Sequence, residues 1–158
     1  MENAAMTHKE LVRRAALWLR NNQRCSVVLV ERSTRVSETP DSLGFVNGSL
    51  SILVECKASR SDFLADKAKF FRRFEDMGVG DKRYFLAPPG VVREHDDLNG
   101  WGLLICSAHQ VQEAKPPAIK RGNKHNEVAM LVSAMRRLEI AATVFVRTDE
   151  PPAAEEGK

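Results

Sequence analysis

The sequence predicts a mixed α/β domain, with a central sheet of parallel and antiparallel neighbours and helices packed against it. Three observations predict it. Asn47-Gly48 between two strand-like runs marks a two-residue hairpin, which joins antiparallel strands. A helical periodicity ending at Gly78 separates two further strand-like runs, and a crossover helix favours parallel pairing of the strands on either side. With 158 residues and 43% hydrophobic content, the chain has the material for one core of ordinary size.

Thr7-His8-Lys9-Glu10 has the form of a capping box, which predicts a helix to about Asn21 with Leu11, Ala15, Trp18 and Leu19 turned to the core. Cys25 to Val36 reads as a first strand, rich in β-branched residues around Val27, Val28 and Val30. Ser42 to Val46 and Ser49 to Lys57 are the hairpin arms, and Pro40 suits a bend or an edge because it cannot donate to the ladder. Along the second arm Leu50, Ile52, Val54 and Cys56 share one face, while Ser51, Leu53, Glu55 and Lys57 share the other. The expectation is one face built for the core and one that ends in charge.

Arg60-Ser61-Asp62 supplies the cap of a second helix, with Phe63, Leu64, Phe70, Phe71, Phe74 and Met77 at helical spacing up to Gly78. Lys82 to Ala87 follows as a strand, stopped by Pro88-Pro89-Gly90. Val91 to Gly100 reads as a loop, Trp101 to Ser107 as a short apolar strand, and His109 to Ala114 as an edge strand. A third helix is expected from near Asn126, carrying Val128, Met130, Leu131, Ala134, Met135 and Leu138, and Ile140 to Val146 either extends it or adds a strand. Residues 148–158 are dominated by Pro, Ala and Glu and read as a disordered acidic tail, which leaves residues 1–147 as a single domain.

The formal net charge is +3; the tail holds four acids against one lysine, so residues 1–147 carry +6. A mildly basic body suits a polyanionic partner. Cys25, Cys56 and Cys106 are odd in number and widely spaced, with no CxxC pair, which argues against a disulfide framework and a zinc knuckle. His8, His95, His109 and His125 show no metal-ligand spacing. No apolar run approaches the roughly 20 residues of a spanning helix and no signal-peptide core is present, so a cytoplasmic protein without membrane contact is expected.

The chemistry gathers at two places that the hairpin brings together, Pro40-Asp41 and Glu55-Cys56-Lys57. Glu55 and Lys57 share a strand face, and Asp41 stands near the neighbouring strand, so two carboxylates and an ammonium converge in a pattern suited to a divalent metal and an activated water. The order helix, three-stranded meander, helix, strand, with Pro-Asp near the second strand and Glu-x-Lys on the third, resembles the PD-(D/E)xK nuclease superfamily. Its restriction-endonuclease-like core would here carry an additional C-terminal helix. Val54-Glu55-Cys56-Lys57, Ser61-Asp62-Phe63 with Ala65-Asp66-Lys67, Arg83-Tyr84-Phe85 with Pro88, and Gly102-Leu103-Leu104 narrow the resemblance to MmcB-type DNA-repair endonucleases and related phage proteins, over about Glu10 to Leu138.

The resemblance implies a metal-dependent DNA endonuclease of repair or phage DNA metabolism, with Mg²⁺ or Mn²⁺ held by Asp41, Glu55 and the backbone carbonyl of Cys56. It implies that Lys57 positions the attacking water or stabilises charge developing on the phosphate. It also offers Glu10 on the first helix as a further acid for the metal, a role that competes with its place in the capping box. Independently of the resemblance, a strand places Glu38 near Asp41 but on the opposite parity, as an alternate carboxylate. Lys67 on the helix after the motif, with Lys69, would contact DNA, although a solvated helix face accounts for both. Homodimerisation follows by fold-level analogy alone.

Outside the resemblance, Lys120, Arg121 and Lys124 form a basic run that suits phosphate-backbone contact or a solvated loop. Arg83 and Tyr84 are either nucleic-acid contacts or core, Trp101 reads as packing, and Cys56 as an inert buried thiol. The competing function is a catalytically silent nuclease fold that binds nucleic acid or a protein partner, as a regulator or phage counter-defence factor.

Overall fold

A computed structural model of the chain describes residues 5–30, 39–66 and 75–137. It contains a six-stranded sheet in the order β1-β2-β3-β4-β5-β6, built from Val27–Val30, Ser42–Val46, Leu50–Cys56, Lys82–Ala87, Gly102–Cys106 and Val111–Lys115. The first three strands form an antiparallel meander, with Val27 opposite Phe45 and Ser42 opposite Val54. The hairpin turn places Asn47 and Gly48 at φ of 43° and 81°, the doubly left-handed turn that Asn-Gly favours. β3, β4 and β5 run parallel, with Glu55 opposite Phe85 and Tyr84 opposite Gly102, and β6 returns antiparallel along the edge. The sheet is mixed, as the crossover argument expects.

Helix α1, His8–Asn21, covers one face. Thr7 caps it by accepting the Glu10 N–H at 3.2 Å, and Leu11, Val12, Ala15, Trp18 and Leu19 bury against Ile52, Val54, Cys56, Tyr84 and Leu104. Helices α2, Arg60–Ala65, and α3, Lys124–Arg137, belong to the other face, with a 3-10 turn at Glu75–Met77. There Phe63, Met130 and Ala134 join Leu53, Phe85 and Trp101 in a second core.

That second core corrects the expectation of one apolar and one charged face. β3 alternates as its sequence requires, but Leu53 is fully buried opposite to Ile52 and Val54, because a strand flanked by neighbours and covered by helices on both sides is enclosed on both. Charge is confined to the two ends of this face. Smaller corrections follow from caps. Ser59, ahead of the expected Arg60 to Asp62, caps α2 by accepting the Asp62 N–H at 3.2 Å, and α3 opens at Lys124, two residues before Asn126. The expected elements or parts of elements at residues 31–36, 67–74 and 138–146, the tail 148–158, and the candidates Glu38, Lys67 and Lys69 lie outside the described residues. Among the described residues, no helix is long and apolar enough to cross a membrane.

Candidate active site

The parallel strands β3, β4 and β5 end together, and the carboxyl ends of such strands are where open α/β sheets form their sites. β3 brings Glu55 and Lys57 to that end, on the face covered by α2. Both are charged, and both are buried, at 2% and 4% exposure. Lys and Glu almost never reach such burial without a specific partner or a task. Lys57 Nζ lies 2.6 Å from Asp66 Oδ1, in an ion pair closed from solvent. Asp66 stands at the C-terminal end of α2, nine residues from Lys57, so the short helix after the strand exists in part to return a carboxylate to the lysine.

Asp41 reaches the same region from the start of β2. Its Oδ2 accepts the backbone N–H of Cys56 at 2.7 Å, and its Oδ1 lies 3.2 Å from His8 Nε2 on α1. Proline explains the arrangement. Extending the Ser42 to Val54 register by two residues sets Pro40 opposite Cys56. Pro40 has no N–H to give, so the ladder stops and supplies no donor there to the Cys56 carbonyl. Lys57 N–H donates to Leu86 on the β4 side, so Cys56, one residue back, directs its amide and its carbonyl to the β2 side, where Asp41 lies.

These groups suit a hard cation. Glu55 is held through other contacts, yet its Oε1 is sealed from solvent and accepts no hydrogen bond. Asp41 is fixed in orientation by two contacts, and each of its oxygens retains a further lone pair. Among the described residues no three His, Cys, Asp or Glu side chains group as a metal site. Mg²⁺ is compatible with that, since it is commonly held by one or two carboxylates, with waters and substrate phosphate completing its shell.

Cys56 itself turns away from the site. Its thiol lies in the core under α1, and burial, reinforced by the Asp41 and Glu55 carboxylates, pushes its pKa well up, so only its backbone is available for chemistry.

Other candidates fall elsewhere. Glu10 is clamped by Arg13, which donates from Nε and Nη2 at 3.0 and 2.7 Å, and this guanidinium holds the carboxyl below its usual range. Two helical residues from His8, it lies about 200° away around α1, so the helix presents His8 to Asp41 and Glu10 to Arg13. His8 was the residue to find: its spacing of three, four, seven and eleven from Leu11, Val12, Ala15 and Leu19 sets it on their stripe of the helix, and from there its exposed ring reaches Asp41.

The basic run sits at the opposite end of the sheet, about 20 Å along β3 from Lys57. Lys124 is partly exposed but already paired there. Its Nζ is 2.6 Å from Asp81 Oδ2 and 3.0 Å from Glu127 Oε2, in a structural ion-pair cluster. The Lys120 N–H donates to the Asp81 carbonyl, and Arg121 alone of the three is exposed. Arg83 is buried, donating to the carbonyls of Gly78 and Gly80, and Tyr84 packs edge-on to Trp18, which assigns both to the core.

No family model and no curated protein matches the chain. Among solved structures, a protein of unknown function from Silicibacter pomeroyi superposes over 96% of this chain and 100% of its own, with a TM-score of 0.66 at 20% identity. The likeness establishes the α/β fold; at that identity it carries nothing about activity.

Proposed function

We propose that the carboxyl end of β3 is the centre of a metal-dependent DNA endonuclease that hydrolyses phosphodiester bonds. The observation that carries the reading is the burial of Glu55 and Lys57 side by side where the strand ends, with Asp41 fixed against the intervening backbone amide. Asp41, Glu55 and the Cys56 carbonyl would hold Mg²⁺ or Mn²⁺. Bound there, the cation would lower the pKa of a water and offset phosphate charge.

The protein's own groups supply the rest. Asp41 arrives already oriented by the Cys56 amide and His8, which lowers the ordering cost of ligation. Lys57, steered by Asp66, would place its ammonium against the attacking water or the phosphoryl oxygen that gains charge. The basic body, +6 over residues 1–147, favours approach of a polyanion.

The Lys57–Asp66 pair also supports a second reading, a nuclease fold that binds nucleic acid or a protein without cutting, because the pair satisfies the lysine internally. Cleavage decides between them. Asp41→Ala and Lys57→Ala are expected to lose Mg²⁺- or Mn²⁺-dependent DNA cleavage by about a hundredfold or more while retaining the wild-type circular dichroism. Full activity in both variants removes these residues from the mechanism.

A further inference from the structure

Beside the Lys57–Asp66 pair the second core opens into a cavity of about 210 Å³. Phe63, Phe85, Leu98 and Trp101 form its apolar walls. Phe85 and Trp101 are stacked, with centroids 4.6 Å apart and planes 21° from parallel, and Phe63 meets Phe85 edge-on at 5.3 Å. The polar groups at the cavity are Asp66, Asp97 and Asn99. Asp66 is the carboxylate that accepts the Lys57 ammonium, so the cavity and the candidate centre share a residue.

The cavity is built rather than incidental. One side is the loop 91–100, tied to the start of α2 by Arg60, which pairs with Asp96 and donates to the Val91 carbonyl at 3.1 Å. The Asp96 carboxylate also accepts the Arg93 N–H at 2.6 Å, and Asp97 accepts the Asn99 N–H at 2.8 Å.

Its size and chemistry select a ligand. Pockets for drug-sized molecules run from roughly 300 to 1,000 Å³, so this one suits a single planar ring system. Aromatic walls favour the π face of a heterocycle. Carboxylates accept hydrogen bonds from an exocyclic amine and repel phosphate, so the occupant is a base and the phosphate belongs outside.

We propose that this cavity receives an unstacked, amino-bearing nucleobase of a DNA substrate, setting the protein to act where a base is unpaired or turned out of the helix. The inference rests on the nuclease reading. Extruding a base costs a few kcal/mol, least for one already unpaired, so the site would select such structures.

The test uses the full chain in EDTA, with a short duplex carrying one unpaired 2-aminopurine and the same duplex fully paired. The expected result is saturable quenching of 2-aminopurine emission with the unpaired duplex, bound about tenfold or more tightly than the paired one. Leu98→Trp, which fills the cavity, should abolish that preference. Asp97→Asn, at an exposed position where folding is retained, should reduce it by about threefold to tenfold, and decides alone if Leu98→Trp does not fold. Equal binding of the two duplexes by the wild type overturns the inference, as does a preference unchanged in Asp97→Asn. Cleavage of the same duplexes with Mg²⁺ keeps the two readings apart. Base capture without cleavage leaves the base site standing and sinks the nuclease; cleavage without capture sinks only the base site.

Discussion

β3 carries a cluster of carboxylates and a lysine at each of its ends, and the two clusters do opposite things. At the amino end, Asp81 accepts from the Ser51 N–H at 2.9 Å, the Gly122 N–H at 2.8 Å and Lys124 at 2.6 Å. Glu127 accepts from the Gly80 N–H at 2.9 Å and Lys124 at 3.0 Å, and its Oε1 lies 2.6 Å from Ser51 Oγ. Backbone amides close this cluster and pin α3 to the sheet. At the carboxyl end, Glu55 keeps a buried oxygen that accepts no hydrogen bond, and Asp41 leans on an amide where proline has ended the ladder. Grouped charge is common to both, so grouping alone does not mark a site. What separates them is their partners: backbone amides and Lys124 close the amino-end cluster, whereas the carboxyl-end grouping is the one we propose as the metal site.

The largest effect expected from this comparison is on stability. Asp81→Ala should cost about 3–5 kcal/mol in urea unfolding, since it strands Lys124 and several amides. Glu55→Gln removes a buried charge and should change stability by no more than about 1 kcal/mol while eliminating metal-dependent cleavage. Equal destabilisation by the two variants would erase the distinction between the ends.

The Lys57–Asp66 pair sharpens it next. Lys57→Met or Asp66→Leu alone should each cost about 3 kcal/mol, and the double variant less than either, because only the single variants leave an uncompensated buried charge. Additive losses would show that the two side chains do not act as a pair.

A smaller effect is expected in acid. Burial raises the Asp81 carboxyl, but Lys124 and the amides of Gly122 and Ser51 together outweigh it and hold the pKa below the usual carboxylate range. A depressed folded pKa contributes stability that is present above the unfolded value of about 3.9 and lost as pH falls through the folded one. Asp81→Asn should therefore be less stable at neutral pH and show a flatter decline below about pH 4. Parallel curves for wild type and variant would remove Asp81 from the acid response.

Least in energy is the thiol prediction. Burial pushes Cys25 up to about 11 and raises Cys56 and Cys106 as well, so a thiol-specific disulfide reagent at pH 7.5 should label all three only after unfolding. Rapid labelling of native Cys56 would place its side chain in the site after all.

The fold was largely legible because it rests on local signals: Asn47-Gly48 fixes the hairpin, Thr7 the first helix, and the alternation of Ile52, Leu53, Val54 and Glu55 the two faces. The site was legible as far as one strand could carry it. Alternation puts Glu55 beside Lys57, but which partner each meets depends on elements distant in sequence. Asp66 reads as an ordinary helix residue until α2 folds back to Lys57, and Lys124 as a basic loop residue until α3 docks on Asp81. His8 was recoverable from helical spacing, whereas Glu10 drew attention as an acid although Arg13, three residues on, already pairs with it.

The central claim is that the carboxyl end of β3 is the metal-binding end, and calorimetric titration with Mn²⁺ tests it most directly. The wild type and Asp81→Asn should bind one ion with the same affinity, and Asp41→Ala should bind none. Binding that persists in Asp41→Ala, or that is lost in Asp81→Asn with the fold intact, would contradict the account.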